Sequence, residues 1–162
     1  MTVSVVVQHA TRHAGAPSRA RLARWVTAAA PDARGEVTVR ITDADESRAL
    51  NRDWRGRDHA TNVLSFPAGE LPADIPDAPF GDLVLCTDVI AREAREQGKD
   101  ETAHWAHMVV HGVLHLLGHD HQSAAEADTM EALEVRVLAS LGWSDPYALL
   151  PATDTPVQRT AS

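Results

Sequence analysis

Three histidines in the last third of the chain have the spacing of metal ligands. Residues 111–121 read HGVLHLLGHDH, the pattern HxxxHxxGxxH. On a helix, side chains four apart share one face, and Gly118 allows the chain to reverse so that His121 returns toward His111 and His115. Three neutral imidazoles around Zn²⁺ leave a fourth position for water, as in catalytic sites. The pattern predicts one Zn²⁺ per chain on His111, His115 and His121. Imidazole also suits Ni, Cu and Fe, and zinc is the default because availability decides among these metals.

The remaining histidines of this region are weaker candidates for metal ligands. His119 lies in the turn and alternates in direction with His121, so it is not counted among the ligands. His107 shares the helix face of His111, and His104 lies one turn earlier. His107 and His119 are candidates for contact with a metal ligand or the substrate, but for His104 and His107 an ordinary hydrogen-bonded helix histidine is the favoured interpretation.

Gly112 stands where zinc proteases of the HExxHxxGxxH type carry the glutamate that takes a proton from water. Glycine cannot act as a base, and inside a helix it costs about 1 kcal/mol relative to Ala. We therefore expect another helix or the sheet to approach closely at Gly112. Peptide hydrolysis by the glutamate-assisted route is disfavoured.

Phosphodiester cleavage is the other chemistry that such a metal serves, since zinc activates water and polarises a phosphoryl oxygen. It also needs positive charge, and five arginines fall between residues 40 and 57, interleaved with acids. A solvated helix face of mixed charge is the simpler interpretation. The net charge of −8 argues against nonspecific wrapping of nucleic acid but leaves room for a local basic cleft.

Periodicity predicts the elements that must position these residues. Strands are expected at 4–8, 36–42, 62–66 and 81–86, and helices at 18–30, 43–55, 88–97, 101–117 and 123–141. The segment 68–79 is predicted to be a Pro-rich loop and is a candidate border of the site. The 43–55 helix carries Leu50 and Trp54 four apart, and the last helix is expected to bury Met130, Leu133, Val137 and Leu141. The fold class is α+β (mixed α/β), a small mixed sheet of about four strands packed with helices, one of which carries two zinc ligands.

Length and composition indicate one folded domain. The 162 residues, 44% of them hydrophobic, suit a single metal-dependent domain over 1–150 followed by a disordered tail over 151–162. Cys86 is the only cysteine and is expected to be a buried structural thiol. We find neither a secretory signal nor a membrane span, so a cytoplasmic location is expected.

Two separated motifs resemble one family. HGVLHLLGHDH with its lead-in HWAHMVVHG, and WRGRDHATNVLSFP, are similar to the motifs of the YbeY endoribonucleases, also called ribosomal RNA maturation factors. GDLVLC and MEALEVRVLASLGWSDPY extend the resemblance over about residues 43–147. His119 and Ala60 depart from it, standing where the family often has Tyr and Pro.

The resemblance implies a zinc-dependent, single-strand-specific endoribonuclease in small-subunit (16S) ribosomal RNA 3′-end maturation and ribosome quality control. The implied ligands are His111, His115 and His121, and the implied catalytic residue is Arg55, engaging RNA phosphate. Expected partners are single-stranded ribosomal RNA and the small ribosomal subunit or its assembly factors, with no membrane. Thr61, Asn62 and Ser65 could line the cleft, although turn and strand-end hydrogen bonding is the favoured interpretation.

Three matters stay open at the level of sequence. The general base could be zinc-bound hydroxide, an RNA 2′-hydroxyl or a nearby histidine. A ribosome-assembly factor with a mainly structural metal is the second hypothesis. A zinc metalloprotease is the third, and Gly112 makes it the least favoured.

Overall fold

The structure, a computed structural model, describes residues 3–13, 15–67, 80–120 and 122–148. Four strands are β1 Ser4–His9, β2 Glu36–Thr42, β3 Val63–Pro67 and β4 Gly81–Cys86. Five helices are α1 Arg19–Ala29, α2 Ala44–Arg55, α3 Thr87–Glu96, α4 Glu101–Leu116 and α5 Ala124–Ser140. The expected α+β class is confirmed. The predicted loop over 68–79, His121 and the predicted tail over 151–162 lie outside the described residues.

The four strands form one mixed sheet in the order β1-β2-β4-β3. β1, β2 and β4 run parallel, and β3 pairs antiparallel with β4. Because side chains alternate along a strand, β4 serves both faces: Leu83 and Leu85 enter the main core, whereas Val84 packs with Leu64 and Phe66. The helix α2 covers the sheet face that carries Leu64, Phe66 and Val84, and α4 covers the face that carries Leu83 and Leu85.

α4 is the central helix of the main core. Every residue from His104 to Leu114 is buried, because the sheet covers one side and α1, α3 and α5 pack around the others. Asp100 begins the helix by accepting hydrogen bonds from the backbone N–H groups of Thr102 and Ala103. Gly118, with φ +97°, ends it in the left-handed region as predicted.

Two helices place polar side chains at the most buried positions of the face that their apolar residues indicate. In α2 the buried side chains are Ser47 and Asn51, while Trp54 is 39% exposed. They lie inward because Ser47 Oγ donates to Thr61 O at 3.0 Å and Asn51 Nδ2 donates to His59 O at 2.9 Å. These bonds hold the segment that leads into β3.

In α5 the expected burial of Met130 is confirmed, but Leu133, Val137 and Leu141 are only partly buried. The inner face consists of Met130, Glu134 and Leu138, which follow one another at intervals of four. A carboxylate can lie there because hydrogen-bond donors from other elements meet it.

Cys86 is fully buried, as expected, and burial raises the pKa of its thiol. Within the described part of the chain, no helix is both long and apolar enough to span a bilayer.

Candidate active site

The histidines of α4 converge where the helix ends. The Nε2 atoms of His111 and His115 lie 3.1 Å apart, with His111 buried and His115 half-buried. Two nitrogen ligands of one tetrahedral zinc, each about 2.0–2.1 Å from the metal, lie about 3.3 Å apart. The pair could therefore hold one metal ion with little adjustment. Within the described residues no group of three or more metal-binding side chains is assembled, and the predicted third ligand, His121, lies outside them.

A buried carboxylate from α5 stands behind His111. His111 Nδ1 lies 2.8 Å from Oε1 of Glu134, and His107 Nε2 lies 3.1 Å from the same oxygen. An ionised carboxylate only accepts hydrogen bonds, so both ring nitrogens are the donors. A neutral His111 then carries its lone pair on Nε2, the nitrogen that faces His115.

Tyr147 closes the other side of this carboxylate, since its hydroxyl donates to Glu134 Oε2 at 2.6 Å. Burial alone would raise the pKa of Glu134, but the hydrogen bonds from His107 and His111 hold it well below its usual range. Burial and the adjacent Glu134 charge raise the pKa of Tyr147, and burial lowers that of His107. Glu134 is therefore a carboxylate anion that accepts hydrogen bonds from His107, His111 and Tyr147.

Arg55 comes from a different element and lies at the end of α2. Asp43 caps the start of this helix, and Gly56, with φ +71°, ends it one residue after Arg55. The Arg55 guanidinium donates to Ser65 O at 2.7 Å and lies 4.7 Å from the centroid of the Phe66 ring. One edge of the guanidinium is held by the hydrogen bond to Ser65 and one face by the Phe66 ring, so β3 fixes the orientation of this planar group.

One open cleft of about 620 Å³ joins the two motifs. Among the described residues its lining contains Arg55, Arg57, His59, Thr61, Asn62, Ser65, His111, His115, His119 and Asp120. Two arginines against one aspartate make this lining basic, although the whole chain carries −8. The cleft is suited to an anionic ligand.

The five arginines of the 40–57 segment divide between two roles. Arg40 pairs with Glu46, Arg48 with Asp58 and Arg52 with Asp53. For Arg48 and Arg52 the solvated helix face of mixed charge is the correct interpretation, whereas Arg40 lies on β2 and its ion pair is partly buried. Arg55 and Arg57 line the cleft instead.

Gly112 lies where α4 crosses the sheet, as its place in the sequence indicated. A Cβ atom there would come within 2.8 Å of Leu83 Cδ2 and 3.0 Å of Val63 Cγ2. Ser65 Oγ also donates to the Gly112 carbonyl at 2.8 Å. Any side chain at this position would point into the sheet, so the position suits neither a base nor a ligand.

Polar residues ahead of β3 and within it serve both predicted uses, cleft lining and turn or strand-end hydrogen bonding. Thr61, Asn62 and Ser65 line the cleft. Asn62 also accepts from Val63 N at 2.7 Å and donates to Glu93 Oε1 at 3.1 Å. Glu93 in turn meets His104 Nε2 at 2.9 Å, so His104 is a hydrogen-bonded helix histidine.

The sequence interpretation missed Glu134 and Tyr147. Helical spacing alone placed leucine and valine on the inner face of α5, and nothing local marks a glutamate as buried. The available signal was that both residues fall in MEALEVRVLASLGWSDPY, a stretch that carries the family resemblance.

Comparison with known proteins gives the class to which this fold and site belong. A sequence model of the family described as "Endoribonuclease YbeY" matches residues 8–142. Proteins named "Endoribonuclease YbeY" from Halorhodospira halophila and Alkalilimnicola ehrlichii are 58% and 55% identical over 139 and 141 residues. These alignments cover 83% and 84% of this chain, and 90% and 85% of those proteins.

The relative from Nitrosococcus oceani is 51% identical over 91% of this chain and 98% of its own length. The solution structure of TM1509 from Thermotoga maritima aligns with 89% of this chain and all of its own at 23% identity, with a TM-score of 0.48, too distant to bear on the site. The chain belongs to the YbeY endoribonuclease family, and the resemblance noted from its motifs is confirmed.

Proposed function

We propose that this chain is a zinc-dependent endoribonuclease that cleaves single-stranded RNA. The observation that carries the proposal is that His111 and His115 share one basic cleft with Arg55, although 56 residues separate Arg55 from His111 in the chain. Family membership supplies the reaction class, because the relatives are named endoribonucleases.

His111, His115 and His121 would hold the metal. When bound there, zinc activates water and polarises a phosphoryl oxygen. The donor chemistry fits, since two imidazole nitrogens already face one another and one ring is oriented by a carboxylate.

Arg55, which lines the same cleft, binds the scissile phosphate. A planar guanidinium offers paired donors to two phosphoryl oxygens and stabilises charge as it develops on them. The Arg55 guanidinium is oriented before the substrate arrives, because it stacks on Phe66 and donates to Ser65 O. Little conformational entropy is therefore lost when it binds phosphate. Arg57 adds positive charge beside it.

The biological substrate is the 3′ end of small-subunit (16S) ribosomal RNA, with a role in ribosome quality control. This part of the proposal is supported by what the family resemblance implies. The same resemblance supports a cytoplasmic location, with the small ribosomal subunit or its assembly factors as partners. Peptide hydrolysis is disfavoured by Gly112, whose close packing against Leu83 and Val63 leaves no room for a catalytic carboxylate.

The test is a paired cleavage assay on a single-stranded ribosomal RNA fragment, with metal content measured on the same samples. Wild type is compared with Arg55→Ala and with Arg52→Ala, a matched control on the same helix whose arginine pairs with Asp53. We expect cleavage by wild type and Arg52→Ala and a large loss in Arg55→Ala. Equal background cleavage in all three would favour an assembly factor with a structural metal.

A further inference from the structure

We propose that Glu134 and Tyr147 are positioning residues that set His111 for metal binding. Glu134 fixes which ring nitrogen of His111 carries the proton, and Tyr147 holds Glu134 in place. This inference rests on the metal site proposed above. It assigns a role to two residues from α5 and the segment after it.

The contacts specify one orientation of the His111 ring. Oε1 of Glu134 accepts from His111 Nδ1 at 2.8 Å and from His107 Nε2 at 3.1 Å, and Oε2 accepts from the Tyr147 hydroxyl at 2.6 Å. Turning the His111 ring over would place a carbon atom against the carboxylate. The bond to Glu134 therefore keeps Nε2 directed toward His115, at 3.1 Å.

Stability alone gives little reason for a carboxylate at position 134. Glu134 is 1% exposed and lies one helical turn after Met130 on the core-facing side of α5. Removing a charge from water is costly, and a well-packed apolar side chain of similar volume is often equally stable in such a place. A buried anion does, however, orient an imidazole ligand and raise its basicity, which an apolar side chain cannot do.

Tyr147 links the end of the described chain to this arrangement. It lies beyond α5, and its backbone N–H is held by Asp145 Oδ1 at 2.8 Å. Its ring meets that of His107 edge to face, with centroids 5.3 Å apart. The segment after α5 thus brings a hydroxyl within hydrogen-bond distance of both carboxylate oxygens, at 3.1 Å from Oε1 and 2.6 Å from Oε2.

Zinc affinity, measured by competition with a chelator at one neutral pH, tests the inference without reference to cleavage. We expect Glu134→Gln to weaken zinc binding about 10–100-fold and Tyr147→Phe to weaken it by a smaller factor. Glu93→Gln is the matched control, because Glu93 also meets a histidine of α4, His104, away from the ligands. It should bind zinc within about twofold of wild type.

A second measurement uses metal-free protein. Long-range ¹⁵N NMR of the imidazole rings should show His111 protonated on Nδ1 in wild type and as a mixture of tautomers in Glu134→Gln, whose amide can present either atom. Should Glu134→Gln fail to fold, Tyr147→Phe, which removes one hydroxyl, carries the affinity test.

The outcomes separate the two proposals. A wild-type protein that binds no zinc overturns the metal site and this inference with it. Zinc binding by wild type with unchanged affinity in Glu134→Gln and Tyr147→Phe, or in Tyr147→Phe alone if the other variant does not fold, overturns only the positioning roles.

Discussion

The Nε2 atoms of His111 and His115 lie 3.1 Å apart at the end of one helix, close to the separation of two ligands on one zinc ion. Elemental analysis should find about one zinc per chain in wild type and far less in His111→Ala, because two imidazoles hold the metal weakly in a three-ligand site. His121→Ala should behave likewise.

His119→Ala is the control for zinc content. His119 lines the same cleft but is not among the proposed ligands, so its variant should keep its zinc. Undiminished metal in His111→Ala would contradict the assignment. Loss of zinc in His119→Ala would place His119 in the ligand set.

Arg55→Ala should reduce kcat for RNA cleavage by about 10²-fold, the usual loss for one group that stabilises transition-state charge. Arg55→Lys should fall nearly as far, because an ammonium cannot both stack on Phe66 and present a planar pair of donors. Single-turnover rates at saturating RNA measure this. A lysine variant with wild-type rates would mean that charge alone is required.

The affinity for single-stranded RNA should fall with added salt, because the basic lining of the cleft displaces counterions from phosphate. The slope of log K against log salt is negative, and each lost phosphate contact reduces its magnitude by about 0.7 for single strands. Titrations at several salt concentrations should show that reduction in Arg55→Ala. Arg52→Ala should keep the wild-type slope, and identical slopes in all three proteins would argue against a phosphate contact at Arg55.

Gly112→Glu should destabilise the fold and should not create a peptidase. The new side chain would meet Leu83 and Val63 and leave a buried charge without a partner, at a cost of about 3 kcal/mol or more. Gly112→Ala should cost less, about 1 kcal/mol, since better helix propensity offsets part of the overpacking. Urea unfolding and a peptide-cleavage assay provide the measurements; a stable Gly112→Glu protein with peptidase activity would refute this view of the position.

Glu93→Gln should lower the free energy of unfolding at pH 7 by about 1–2 kcal/mol. Burial would raise the pKa of Glu93, but the hydrogen bonds from His104 and Asn62 outweigh it, so the pKa is lowered overall. A carboxyl with a lowered folded-state pKa stabilises the fold above its unfolded pKa of about 4.3, and that contribution is lost as pH falls through the folded value. The difference between wild type and variant in urea unfolding should therefore narrow below about pH 4. A difference that stays constant from pH 7 to pH 3 would show that the Glu93 charge is not responsible.

Sequence alone was sufficient wherever the evidence is local or periodic. The strands and helices were predicted to within a residue or two at most ends, because hydrophobic spacing, N-caps such as Asp43 and Ser123, and terminal glycines act within a few positions. Spacing likewise placed His111 and His115 on one face. The close approach at Gly112 could be predicted from its helical cost alone.

Tertiary structure decided which distant residues meet. No local pattern shows that Arg55 faces the cleft while Arg48 and Arg52 pair with neighbouring aspartates, because that depends on how α2 packs on the sheet. Nor does local pattern show that Glu134 lies inward. Its burial is tolerable only because His107, His111 and Tyr147 bring donors to it from elsewhere in the chain, and such compensation exists only in the folded protein.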